Sequence, residues 1–122
     1  MAVTVSVSRN GQPLPARLLW GPGVGNPSPE EREVQGYQAP RGVVFAAGVV
    51  EPLEAAKLPP SGREFAGVEW VGVESHYFAA LFVAPGAAAA VRPIAMPPRP
   101  DEKPAVAPVA VVEARGPQPV QL

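Results

Sequence analysis

Residues 68–85, V-E-W-V-G-V-E-S-H-Y-F-A-A-L-F-V-A-P, hold one of the two tryptophans, one of the two tyrosines, two of the four phenylalanines and the only histidine of the chain. The flanking sequence is rich in Pro, Gly, Ala and Val, which bury little surface apiece, so a core has to be built around this stretch. Val68, Trp70 and Gly72 fall on one face of an alternating strand, and Glu69, Val71 and Val73 on the other. Glu74-Ser75-His76 reads as a tight corner. Residues 77–83 resume as a second apolar strand, which Pro85-Gly86 is expected to close.

The rest of the chain repeats this strand-and-turn grammar. Residues 2–8 alternate strictly, with Val3, Val5 and Val7 against Thr4, Ser6 and Ser8, the period of a half-buried strand. Asn10-Gly11 supplies the positive φ angles of a hairpin turn, and residues 14–20 read as the partner strand, its start blurred by Pro13 and Pro15. Gly21-Pro22-Gly23-Val24-Gly25 is a rigid connection, after which Ser28-Pro29-Glu30-Glu31 opens at most a helical turn. Residues 33–38 are expected as a short strand and 43–50 as one continuous apolar strand ended by Pro52. Residues 54–57 make one helical turn before Pro59-Pro60-Ser61-Gly62. Residues 105–114 alternate as a strand, and Val120-Gln121-Leu122 starts another.

Proline and glycine, 18 and 12 residues, make up about a quarter of the 122, near the level at which irregular structure is expected. They are concentrated, and residues 86–104 are expected as a Pro/Ala-rich loop or linker inside one domain spanning 1–122. The expected fold class is all-β, antiparallel, with seven or eight short strands. Ten basic and eleven acidic residues are spread without a basic stripe, which argues against nucleic acid as a partner. No cysteine occurs, so there is no disulfide, thiol nucleophile or thiolate metal ligand. The longest apolar run, 77–84, is far short of the roughly 20 residues a membrane-spanning helix needs, and residues 1–4 have neither the charge nor the apolar length of a signal peptide.

Few residues offer chemistry. The glycines of 21–25 are interrupted by Pro22 and no G-K-[ST] follows, so a phosphate cradle is not supported. His76 has no second His or Cys with which to hold zinc, and Ser75 does not sit in a G-x-S-x-G elbow; the residue reads as a corner or packing histidine. Glu69 and Glu74 are five apart, which on a straight strand places them on opposite faces, both solvated. Trp20, Trp70, Tyr77, Phe78 and Phe82 form either a sugar-binding platform or core; with only 7% aromatics the core reading is preferred, with at least one Trp partly exposed near a strand end. No catalytic, cofactor-binding or metal-binding residues are assigned.

Two segments together resemble a known family. Trp20-Gly21-Pro22-Gly23-Val24-Gly25 resembles the W-G-P-G-[LV]-G strand end of the large periplasmic domain of bacterial insertases of the YidC/Oxa/Alb family. Residues 70–85, W-V-G-V-E-S-H-Y-F-A-A-L-F-V-A-P, resemble that domain's W-[IV]-[AG]-[FV]-x-x-x-Y-F-x-x-[AL]-[LFI]-[IV]-x-P segment, matching at Trp70, Gly72, Tyr77, Phe78 and Pro85. The resemblance covers residues 3–92 and implies a partial β-supersandwich, similar to the galactose mutarotase-like sandwiches. It also implies a place on the periplasmic side of the inner membrane, within a multi-pass protein that inserts and folds membrane proteins with or without the Sec translocon. Sec components and nascent membrane proteins are the implied partners, and contact with the membrane runs only through transmembrane helices outside this sequence. The anchoring helix, the five-helix insertase core with its groove arginine and a G-P-K strand are not among these residues. The module is therefore expected to be a truncated, non-enzymatic part without a cofactor, and its cut strand edges are expected to make it marginally stable or self-associating. A free-standing carbohydrate-binding or mutarotase-like sandwich is the alternative of a different class, and a ligand-free structural β-domain is a third.

Overall fold

A computed structural model describes residues 1–24, 28–97, 100, 105–114 and 120–122. In chain order its elements are β1 (Ala2–Val3), β2 (Val7–Arg9), β3 (Gln12–Leu14), β4 (Ala16–Trp20), α1 (Pro29–Arg32), β5 (Arg41–Ala46), β6 (Val49–Leu53), a 3₁₀ turn (Ala55–Lys57), β7 (Arg63–Glu74), β8 (Ala79–Ala95), β9 (Val106–Ala114) and β10 (Val120–Gln121). Their pairings are antiparallel. The chain is all-β and sandwich-like. Among the described residues no helix is long and apolar enough to cross a membrane.

The spine is the ribbon of β7 and β8, which pair from Arg63↔Val91 to Glu74↔Ala79. Its two ends have different neighbours. Toward the corner, β7 pairs β5 and β8 meets β10 at Val83↔Gln121, with β6 and β1 outermost. Toward the other end, β8 pairs β9 from Ala89 to Ala95, and β4 lies outside β9. Register shifts between Phe65 and Val68 and between Val68 and Trp70 bend the ribbon between these ends, as bulges do by inserting unpaired residues and extra twist. The bend lays one layer on the other. Val44, Val71, Val73 and Phe82 from the first layer meet Ala87, Ala89, Val91, Ala110 and Val112 from the second in one core. The layers approach so closely that a Cβ on Gly42 of β5 would run into the side chain of Val91 on β8.

Several local expectations change once pairing is known. The expected loop over 86–104 begins only after Ala95, because β8 runs through Pro85-Gly86 to that residue. Pro85 and Gly86 fall between the paired positions Val83 and Ala87, so no hydrogen bond to β7 is lost there, as a proline in a sheet requires. The alanines that looked too small to bury are inserted between β7 and β9, where small side chains suit the close layers. Met96 N–H then donates to the Ala105 carbonyl at 2.9 Å; residues 98–99 and 101–104 lie outside the described residues.

The run 43–50 is not one strand but a hairpin. Ala47 and Gly48 take φ of 52° and 77°, nearly the values of Asn10 and Gly11, 52° and 76°; paired positive φ is what a two-residue primed turn demands. Ala-Gly lacks the asparagine that marks the other turn. At the N-terminus the hairpin over Asn10-Gly11 is present but short. β2 pairs β3, while β1 pairs β10 and β4 pairs β9. Pro15, with no N–H to offer a ladder, separates β3 from β4.

No strand forms over 33–38. Ser28 caps α1 in a reciprocal box: its N–H donates to Glu31 Oε2 at 2.7 Å and its Oγ accepts from the Glu31 N–H at 3.2 Å. Turns then carry the chain on, Glu33 N–H donating to the Glu30 carbonyl and Tyr37 N–H to that of Val34. A backbone hydrogen bond, and after it the Ser28 hydroxyl, hold the Glu30 carboxyl below the usual glutamate range.

Candidate functional site

The signature residues fall into two separate places. Trp70, Gly72, Tyr77 and Phe78 occupy the corner end of the ribbon, and Trp20, Gly21, Pro22 and Gly23 end β4 in the other layer. Pro85 is at the ribbon's bend, and Gly25 lies outside the described residues.

The corner is a four-residue turn. Ser75 N–H donates to the Phe78 carbonyl at 2.7 Å, and Phe78 N–H donates to Ser75 Oγ at 3.2 Å. This local closure, of the kind serine makes with nearby backbone, leaves the next side chains outside the core: Tyr77 is 64% exposed and Phe78 61%. The expectation that the aromatics fill the core therefore holds for Phe82 and fails for these two. Trp20, at the end of β4, is 37% exposed, as expected for one tryptophan near a strand end.

His76 is a corner residue. Its Nδ1 accepts the Gln38 N–H at 3.3 Å, and its ring lies 5.9 Å from Tyr37 and edge-on to Tyr77 at 4.5 Å. Accepting at Nδ1 leaves the proton of a neutral ring on Nε2. The histidine thus ties the segment after α1 to the ribbon's tip. Beside it, Glu74 is not simply solvated: Arg41 Nε donates to Glu74 Oε1 at 2.6 Å with both side chains about one-third exposed or less. Because the bulge at Val68/Trp70 breaks strict alternation, Val68 joins Val71 and Val73 in the core instead of sharing a face with Trp70 and Gly72. Glu74→Gln keeps the shape and removes the charge; a loss of about 1 kcal/mol in urea unfolding is expected, typical for one partly exposed ion pair.

Trp70 lies on the outer face of the first layer. The register sets Val50, Phe45, Trp70 and Val83 side by side across β6, β5, β7 and β8, with the Phe45 and Trp70 rings stacked at 5.7 Å. The row nearer the corner is Pro52, Val43, Gly72 and Leu81. A Cβ on Gly72 would meet the Leu81 side chain and the Ala80 carbonyl, so the glycine lets Leu81 settle against β7. Val50 and Val83 are exposed, and Phe45, Trp70 and Leu81 half-buried. This is a continuous apolar strip on a solvent-facing sheet. Val50, Phe45, Tyr37 and Arg41 carry no motif of their own; only the alignment of strands distant in sequence reveals them.

Trp20-Gly21-Pro22-Gly23 is a clamp. Trp20 pairs with Ala110. A Cβ on Gly21 would come within 2.7 Å of Val109 Cγ2 and 2.9 Å of the Pro108 carbonyl oxygen, and Gly23 N–H donates to that carbonyl at 2.8 Å. The Gly21–Pro22 bond is cis. These residues lock the end of β4 onto β9 and present no reactive group.

Comparison with known proteins finds no family model, no curated protein and no solved structure that matches this chain.

Proposed function

We propose that this chain is a non-catalytic, polypeptide-binding part of the periplasmic domain of a bacterial membrane protein insertase resembling the YidC/Oxa/Alb family. In its parent protein it would stand beside the inner membrane and present an apolar surface to Sec translocon components or to emerging membrane-protein segments. The observation that carries this reading is the strip Val50–Phe45–Trp70–Val83, with Tyr77 and Phe78 projecting from the end of the same ribbon. Exposed aromatics and aliphatics in one region mark contact sites for apolar partners. Four of the residues that carry the sequence resemblance belong to this end of the ribbon. The half-buried Trp70 stacked on Phe45 also suits a sugar platform, which keeps a carbohydrate-binding sandwich as the second reading.

The test uses a Trp20→Phe variant, in which Trp70 is the sole tryptophan. A short Leu/Ala peptide with terminal lysines for solubility is expected to shift the Trp70 emission to shorter wavelength. A second change, Phe78→Ser, is expected to weaken that response. A flat response to the peptide overturns the proposal, and a saturable response to simple sugars instead transfers the site to the second reading. The parentage has its own check in the gene: a transmembrane helix upstream and five downstream are expected, and flanks without them overturn it.

A further inference from the structure

The outer face of the second layer carries a different feature, a groove of about 360 Å³ whose floor includes Ala88, Ala90 and Val111. The register explains its shape. Leu19, Val111, Ala90 and Glu64 lie side by side across β4, β9, β8 and β7, with Arg17 opposite Glu113 one step along and Arg92 opposite Val109 the other way. These side chains alternate with Leu18, Val112, Ala89 and Val91, which face the core. The alanines leave a trough between taller charged residues: Arg17 and Glu113 toward one end, Arg92 toward the other, and Glu64 beside the middle. The groove is large enough for a small ligand.

Its charges are unused. Among the described residues the ion pairs are Arg41–Glu74, Lys57–Glu54 and Arg63–Glu51, and none of the four groove charges takes part. Arg92 is the most telling. Its Nε is buried and has no hydrogen-bond partner, although leaving a desolvated guanidinium N–H unpaired is costly and rare. The neighbouring backbone holds it in place: Gly62 has φ +78°, and a Cβ there would come within 2.7 Å of Arg92 Cγ and 3.0 Å of Arg92 Cα. Only a glycine at 62 lets the arginine stem lie this low against β7.

We propose that this groove binds the carboxylate of a small, methyl-rich monocarboxylate ligand, the chemistry of a short apolar peptide's C-terminus, with Arg92 as the anchor. A guanidinium fork matches a carboxylate in two parallel hydrogen bonds, and Arg92 is the arginine at the Ala90 end of the groove lining. The floor of Ala88, Ala90 and Val111 accepts a methyl-bearing body. Glu64 and Glu113 disfavour a dianion such as phosphate, and Glu113, at the end opposite Arg92, suits the ammonium of a peptide. From Ala88 to Arg92 the strand advances about 13 Å, and an extended tripeptide spans about 10 Å, so both termini of a tripeptide can find opposite charge within the trough.

The experiment is a titration of the intact chain with tri-alanine, followed by backbone amide shifts. Saturable shifts are expected at Ala88–Arg92 and at Val111–Glu113. The C-terminal amide of the same peptide is expected to bind about tenfold or more weakly, because a charged hydrogen-bonded pair is lost. Arg92→Gln is expected to lose the same factor, and Ala90→Leu, which fills the trough, to abolish the shifts while the amide spectrum stays dispersed. Absence of shifts with tri-alanine, equal binding of the amide, equal binding by Arg92→Gln, or comparable shifts with inorganic phosphate would each overturn the proposal. These amides lie in the other layer from Trp70, so this outcome is read independently of the apolar strip.

Discussion

Phe82→Ala is expected to destabilise the chain by about 3–5 kcal/mol, the range for truncating a buried aromatic. Phe82 is 4% exposed and sits in the row Val44–Val71–Phe82, packed toward the second layer. It is the one buried phenylalanine among core residues that are otherwise Val, Ala and Leu. Few neighbours are long enough to collapse into the space it would leave. A domain of ordinary stability has about 5–15 kcal/mol in total, so this single change should bring the chain close to unfolding at room temperature. Phe78→Ala is the control. The side chain is larger than its contribution, because most of it is already in water, and the expected change is within about 0.5 kcal/mol. Urea unfolding of the two variants checks both. Equal losses would mean that the corner, and not the space between layers, holds the core.

Gly42→Ala is expected to cost about 1–3 kcal/mol by overpacking, and Val91→Ala on the same chain to recover much of it. Gly42 lies on β5 in the first layer and Val91 on β8 in the second. A Cβ on Gly42 would collide with Val91 Cγ1 and come within 3.2 Å of its Cγ2 and 3.3 Å of its Cβ. A β-branched side chain in a strand has few rotamers with which to move aside, so the layers themselves have to part. Val91→Ala alone removes fully buried methyl groups and is expected to cost about 2 kcal/mol. The pair should then be less damaging than the sum of the two by about 1 kcal/mol or more, the coupling seen between residues in contact. A double-mutant cycle from urea unfolding measures it. Strict additivity would show that the layers do not meet at this point.

The two glycines that matter most to the layering were not distinguishable in the sequence. Gly42 merely precedes the apolar run 43–50, and Gly62 ends a proline-rich stop. Their importance lies in Val91 and Arg92, which come from a segment that looks like the start of a linker. The same holds for the candidate sites. Trp70, Gly72, Tyr77 and Phe78 stand out as a pattern, yet nothing in that pattern tells Tyr77 and Phe78, which face water, from Phe82, which does not. Parity fails as a guide here because Tyr77 and Phe78 belong to the turn that Ser75 closes, whereas Phe82 lies in a paired strand. Arg92 carries no motif at all; its buried, unpaired Nε becomes visible only when Gly62 is laid beneath it.

What the sequence determined by itself is what neighbouring residues decide between themselves. Asn10-Gly11 makes a turn, Ser28 with Glu31 makes a cap, and Glu74-Ser75-His76 begins a corner. The alternating Val of residues 2–8 marks extended chain, although only its ends pair, as β1 and β2 in different sheets. The all-β class thus follows from local rules of backbone sterics and burial. The tertiary structure alone decided that β4 leaves the N-terminal hairpin for β9, that the alanines after Gly86 become the middle of a sheet, and that β7 and β8 bend so that their two ends form two layers. Those choices depend on matching small residues against large ones and on sharing edge hydrogen bonds between segments distant in sequence. Such energies belong to pairs of strands, and neither strand's residues record them alone.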